Sequence, residues 1–293
     1  MAIVLVATLL VLFATHAVPA SVHWRDFTWL RRWQEQVGSP GGDLTGLLVC
    51  VGAPVLACAL AQYVLRGTWL GLTSLVFAII VLFYCWGPRD LERDVEAVDK
   101  APDSERRVAA LQALRADATQ PPLEFTTETV VEATFLAALR RWFGVLLWFA
   151  LLGPAGALMY RLTQVLAGPQ FAAAQSAGQR AAAEHAARIL DWLPAHLIVL
   201  ALALASNFDS VFKVWRDYHA ANGKGFLALD LGFLNATARA SVAADVAAEA
   251  DDEPSQAARA PLVALDDAMV LVRRVLIVWL VVIALIVLGG WFA

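Results

Sequence analysis

Apolar residues fall along this chain in six blocks, at 2–18, 44–65, 68–87, 142–162, 193–212 and 272–292. Blocks of about 20 residues match the hydrocarbon thickness of a bilayer, so the pattern predicts an all-α, polytopic membrane helix bundle. The first block is short, and the fifth turns amphipathic at its end. There the apolar run Leu197–Ala205 leads into Phe208-Asp-Ser-Val-Phe-Lys-Val-Trp-Arg-Asp-Tyr-His219, read as the charged end of one helix. Only Arg66-Gly67-Thr68 separates blocks two and three, which predicts a tight helical hairpin with Gly67 at the turn and Arg66 snorkelling to the surface. The N-terminal block has no preceding Lys or Arg. Although Val18-Pro19-Ala20 imitates a cleavage site, the block reads as a first span rather than a signal peptide.

The polar stretches carry helical periodicity of their own. Residues 88–141 are too long for a connector and read as a cytoplasmic helical insertion. Leu91, Val95 and Val98 form one stripe and Val108, Leu111 and Leu114 another, punctuated by Pro102 and Pro121-Pro122. Glu124, Glu128 and Glu132 follow at i, i+4 and i+8, so they share a helix face whose mutual repulsion calls for compensation by exposure, an ion pair or a bound group. Residues 163–190 read as an extracytoplasmic turn and a helix that stops at Leu193 and restarts at Pro194, with Asp191 as a cap or a ligand-facing carboxylate. Residues 213–271 form a second cytoplasmic helical loop. Within it, Asn222-Gly-Lys-Gly225 lacks the spacing of a phosphate loop, Asp245–Pro254 reads as an exposed acidic loop, and Leu262–Arg274 as an amphipathic lead into the last span. On this reading residues 1–293 make one membrane domain.

Composition sharpens the class. Hydrophobic residues are 60 % of the chain and charged ones 16 %, and a net charge of −4 with pI 5.7 gives no footprint for nucleic acid. If loops 19–43, 88–141 and 213–274 share a side, they hold 18 of the 22 Lys and Arg, leaving Arg66, Arg161, Arg180 and Arg188 opposite. That asymmetry places the long loops in the cytoplasm. Cys50, Cys58 and Cys85 lie inside apolar blocks with no CxxC and no nearby His, and read as buried thiols. No nucleophile elbow, HExxH, Rossmann fingerprint or redox pair occurs, and the five histidines are scattered singly. His219 stands apart because it shares a helix end with Arg216 and Asp217. His196 is the main ionisable candidate inside a span, too little intramembrane charge for an ion-coupled pump.

Several of these stretches resemble a known group in the right order. Glu128-Thr-Val-Val-Glu132, Leu190-Asp-Trp-Leu-Pro-Ala195 and Trp215-Arg-Asp-Tyr218 are similar to the membrane proteins of the AmpE/CobD-CbiB superfamily. Weaker likeness covers Val22-His23-Trp24, Trp29-Leu30 and the Arg89–Arg115 helices. One branch is the amide-forming adenosylcobinamide-phosphate synthase; the other is AmpE, tied to β-lactamase induction. The enzymes carry a Glu-Asn-Thr-x-Asp run where this chain has Glu132-Ala-Thr-Phe-Leu136. They have an Asn-Thr-x-Asp stretch near Leu162–Leu166, and a paired Asp where only Asp191 stands here. Nucleotide-driven ligation needs carboxylates for metal and phosphate, so these losses favour the regulatory branch. The resemblance therefore implies a non-enzymatic regulator or sensor in the bacterial inner membrane, linked to β-lactamase induction, antibiotic resistance and cell-wall stress signalling. A membrane-bound amide ligase is the alternative. The implied ligand-binding set is Glu128, Glu132, Arg216, Asp217, His219 and Asp191, with no catalytic residue, metal or cofactor. The expected partners are the lipid bilayer and either a small-molecule ligand or a membrane partner protein. Nucleic acid is excluded, and self-association stays open.

Overall fold

The computed structural model describes residues 2–17, 26–37, 42–66, 71–87, 90–115, 124–221, 225–249 and 260–289, and every regular element among them is helical. Among the described residues, four helices are long and apolar enough to cross a membrane: Asp43–Val64, Thr127–Leu152, Ala177–Ala205 and Ala260–Leu288. Two further apolar helices, Ala2–Ala17 and Leu72–Cys85, are shorter. The chain divides into two compact units. The first comprises 1–88, 140–190 and 283–293, and the second 89–139 and 191–282.

The first unit holds α1 (Ala2–Ala17), α2 (Thr28–Val37), α3 (Asp43–Val64), α4 (Leu72–Cys85), α8 (Gly144–Leu152) and α9 (Pro154–Leu166). The turn of the expected α3–α4 hairpin lies partly outside the described residues, but Ser74 of α4 donates to the Leu65 carbonyl at the end of α3 at 2.6 Å; α3 also packs on α2 and α9, and α4 on α1 and α9. A core of Phe27, Leu30, Leu47, Cys50, Leu162, Val165 and Phe171 joins α2, α3 and α9. All three cysteines are buried free thiols, as expected.

The block at 142–162 is not one span. Its helix begins earlier, at Thr127, where Thr126 and Thr129 form a reciprocal cap, and so α7 (Thr127–Ala138) runs through a π-helical segment, Leu139–Phe143, into α8. It ends at Gly153, whose φ of 70° suits a residue without Cβ, and Pro154 starts α9 at its first helical position. A Cβ on Gly144 would overlap the Tyr160 ring, and one on Gly156 would overlap the Trp148 carbonyl oxygen. Both pairs are centred on residue 152, so α8 and α9 fold back antiparallel with their backbones close together, as small residues allow. Gln62 of α3 accepts from the Ala155 amide at 3.4 Å and serves the exposed donors at the start of α9.

Arg161, counted from sequence among the four charges opposite the long loops, is buried in α9. Its Nε donates to the Cys85 carbonyl at 2.7 Å, and a second nitrogen to that of Arg141 at 3.5 Å. The guanidinium thus caps the last turn of α4, the end of a helix where a cation is favoured.

Pro194 does not restart a helix. The helix α10 (Ala177–Ala205) is continuous through it. Proline lacks the N–H that would bond the carbonyl four residues back, that of Leu190. Trp148 supplies the missing donor, its indole Nε1 reaching the Leu190 oxygen at 3.1 Å. We predict that Trp148→Phe, which keeps the ring and removes the donor, lowers the stability of the solubilised protein by about 1–3 kcal/mol, measured by denaturant unfolding.

The second unit builds on α5 (Leu91–Asp99), α6 (Ser104–Arg115) and α7, which pack on one another. Leu91, Val95, Val98, Leu111 and Leu114 are buried as their periodicity requires, and Asp90 caps α5 through the Glu92 amide. The chain continues in α11 (Phe208–Ala221), α12 (Gly232–Glu249) and α13 (Ala260–Leu288), with α12 against both α7 and α11. The helix read as running from Leu197 through His219 is two: α10 stops at Ala205, and the Asn207 side chain caps α11 through the Ser210 amide at 3.1 Å. Asp245–Glu249, expected in a loop, belong to α12; residues 250–259 lie outside the described ones. Buried Thr134, Thr237 and Ser241 satisfy their hydroxyls on carbonyls one turn back.

Candidate ligand site

Only part of the sequence-predicted set comes together, and all of it lies in the second unit. Glu124 precedes α7, so only Glu128 and Glu132 share a helix face. Glu128 is exposed in the first turn, where the helix dipole favours a carboxylate. Glu132 turns to α12, accepting from Asn235 Nδ2 at 3.3 Å and pairing with Arg239 at 3.4 Å. That ion pair is the compensation the i, i+4 carboxylates called for. Arg216 and Asp217 are exposed and pair with each other at 3.6 Å. Asp191, only 1 % exposed, lies inside α10 rather than at a helix start, so it is not a cap.

His219 leads elsewhere. It is 7 % exposed on α11 and faces His196 of α10, itself 9 % exposed, with ring centroids 6.0 Å apart and planes within 17°. Aromatic side chains enclose the pair. His196 lies 4.5 Å from Trp192 and 4.3 Å from Phe233. His219 lies 4.5 Å from Phe226 and 5.3 Å from Phe233. Trp215 meets both imidazoles edge-on, at 5.9 and 6.1 Å. Phe233 of α12 is fully buried and touches both rings.

Hydrogen bonding fixes the tautomers. The Nδ1 of His196 sits 2.8 Å from the Trp192 carbonyl, and that of His219 3.2 Å from the Gly225 carbonyl. A carbonyl only accepts, so each Nδ1 carries a proton, and in the neutral ring each Nε2 then keeps a bare lone pair. Both Nε2 atoms, and the Trp215 indole N–H, are buried without a hydrogen-bond partner among the described residues. The cluster therefore presents two strong acceptors and one donor inside an aromatic wall. Leaving such groups unpaired costs about 1–3 kcal/mol each.

The turn between α11 and α12 is tied to this cluster. Trp192 Nε1 donates to the Phe226 carbonyl at 3.0 Å, and Asp230 accepts from the Gly232 amide at 3.1 Å and from the Tyr218 hydroxyl at 2.7 Å. Burial first, then the hydrogen bond and the charge of Asp230, push the Tyr218 hydroxyl up to about 12. The unfolded chain loses this proton near pH 10, while the folded one holds it until about 12. The contribution is thus complete below about pH 10 and lost across that window, because the unfolded state then binds fewer protons. Tyr218→Phe should flatten this alkaline limb, read as the change in urea midpoint with pH.

From sequence, His219 was singled out and His196 noted only as an intramembrane candidate, Trp192 and Trp215 entered only within the motifs that carry the resemblance, and Phe226 and Phe233 went unread. The signal was present as a repeated Trp-x-x-x-His, at 192–196 and again at 215–219, which puts an indole and an imidazole on one helix face each time. Comparison with family models, with characterised proteins and with solved structures finds no match for this chain.

Proposed function

We propose that this chain is a non-enzymatic membrane regulator of the AmpE kind, residing in the bacterial inner membrane and acting in β-lactamase induction. Its receptor element is the His196–His219 cluster. The observation that carries the reading is the pair of buried imidazoles with both Nδ1 committed to backbone carbonyls and both Nε2 unpartnered beside the Trp215 indole. A small ligand or partner group bearing N–H or O–H donors satisfies those lone pairs, and its binding is coupled to the turn that carries Phe226 through the Trp192 bond. The engagement of Glu132 by Arg239 and Asn235 supports a role for the inherited acids in holding α7 to α12.

The test replaces both histidines by phenylalanine, which preserves the aromatic packing and removes the unpaired nitrogens. The purified double variant should melt at or above the temperature of the parent, and cells carrying it should respond abnormally to a β-lactam inducer. An unaltered induction response sinks the receptor role. Nucleotide turnover by the purified parent, abolished in Glu128→Ala, would replace the regulator with the amide ligase.

A further inference from the structure

A bare imidazole nitrogen takes two kinds of partner, a hydrogen-bond donor and a metal ion, and the bonding around His196 and His219 suits the second as well as the first. Each Nδ1 is held by a backbone carbonyl, that of Trp192 or that of Gly225. Histidines that bind a metal almost always make this bond from the other ring nitrogen, because it fixes the ring and leaves Nε2 to the ion. Both Nε2 atoms are buried without a hydrogen-bond partner, on side chains 9 % and 7 % exposed. They stand on different helices, each at the ring edge away from its own main chain. With ring centres 6.0 Å apart and those edges facing, the two nitrogens come to about 4 Å, the span of two metal–nitrogen bonds of about 2 Å each.

The surroundings choose the ion. Among the described residues no group of three His, Cys, Asp or Glu side chains could hold a metal, so an ion that needs three or four protein ligands, as zinc does, is not served. An ion content with two ligands remains. The midpoint between the imidazole centres lies about 3.8 Å from the Phe233 ring centre and about 5.2 Å from that of Trp215, inside the roughly 6 Å reach of a cation–π contact. Aromatic walls favour one positive charge over two, because the penalty of leaving water grows with the square of the charge. Imidazole is a good donor to copper. We infer that His196 and His219 form a two-coordinate site for the monovalent ion Cu(I), held in line between the two Nε2 atoms and covered by Phe233 and Trp215. The inference rests on this pair being the receptor element and adds a control to it. Copper takes the lone pairs that a donor-bearing ligand needs, so the two exclude each other.

The full chain in detergent micelles, with Cys50, Cys58 and Cys85 replaced by alanine so that no thiol competes, is titrated without oxygen against the Cu(I) complex of a coloured chelator. It should withdraw one equivalent of copper, and X-ray absorption of the product should show two nitrogen neighbours at about 2 Å and no third. His196→Phe and His219→Phe, which keep the ring, should each weaken binding by more than the roughly 100-fold that losing one of the supporting carbonyl bonds costs. His185→Phe, at an exposed position of α10, should leave it unchanged. Failure to withdraw copper, three or more neighbours in the absorption spectrum, or full retention of the metal by the doubly substituted chain each overturns the site. The spectrum reads ligation with both histidines in place, so the inference does not hang on how well a variant folds. No copper binding, with an altered induction response in the double variant, removes the metal and keeps the receptor. Copper binding with an unaltered response does the opposite.

Discussion

Replacing Gly156 by alanine should open the α8–α9 hairpin and destabilise the first unit by about 3 kcal/mol, the upper end of what overpacking costs. The added methyl would meet the Trp148 carbonyl oxygen and the Leu152 Cβ. Neither can rotate away, because one is backbone and the other is the first atom of its side chain. Relief requires the helices to separate, which also moves Gly144 off the Tyr160 ring and loosens the buried Arg161 that caps α4. Gly178→Ala is the informative control. There the methyl would meet the Asp43 carboxylate, the end of a side chain that can turn, at the expense of its 2.6 Å hydrogen bond from Ser176. Thermal or denaturant unfolding of the two variants should show a large loss for the first and at most about 1 kcal/mol for the second. Equal losses would mean that the close approach of α8 and α9 is not what holds the hairpin.

The second large effect is expected at Phe233. The side chain is fully buried and lies against both histidine rings, so Phe233→Ala removes the element that keeps them apart. Core truncations of this kind cost about 3–5 kcal/mol. The loss should be confined to the second unit and should expose Trp192 and Trp215, seen as a red shift in tryptophan emission before global unfolding. Phe233→Leu, nearer in volume, should recover most of the stability. An alanine variant within about 1 kcal/mol of the parent would show that the cluster collapses freely and is not a preformed cavity wall.

Local periodicity made much of the architecture legible. The stripes of α5 and α6 bury where the spacing placed them, Val108 only partly, because a helix lying on a core repeats its apolar side every three to four residues whatever its neighbours are. Helix ends were harder to read. Proline at 194 suggested a break because the penalty of its missing N–H is a local matter, whereas the donor that offsets it comes from Trp148, 42 residues before the Leu190 carbonyl it serves. The reverse happened at Ala205, where Ser206-Asn207 carried a cap signal inside an otherwise apolar run that reads as one helix. Within the candidate site, Glu132 answered the expectation of a compensating partner, but Arg239 could be named only once α12 lay against α7. His196 and His219 sit on different helices, and nothing in spacing alone says that two imidazoles so separated will face each other. Arg161 was counted only among the charges opposite the long loops, because the carbonyl that holds it inside belongs to another helix.

The π-helical turn at Leu139–Phe143 bears on how this protein tolerates changes in length. A π turn is one residue wider than an α turn, and such turns are how a long helix absorbs a single-residue insertion. Deleting one residue here would restore regular winding but swing everything downstream by about 100°. Gly144 with Tyr160 and Trp148 with Gly156 lie together downstream of the π turn, so the α8–α9 hairpin would turn as one piece out of phase with α7. Surface turns in such a chain can lengthen or shorten freely, but this interior segment has a fixed residue count.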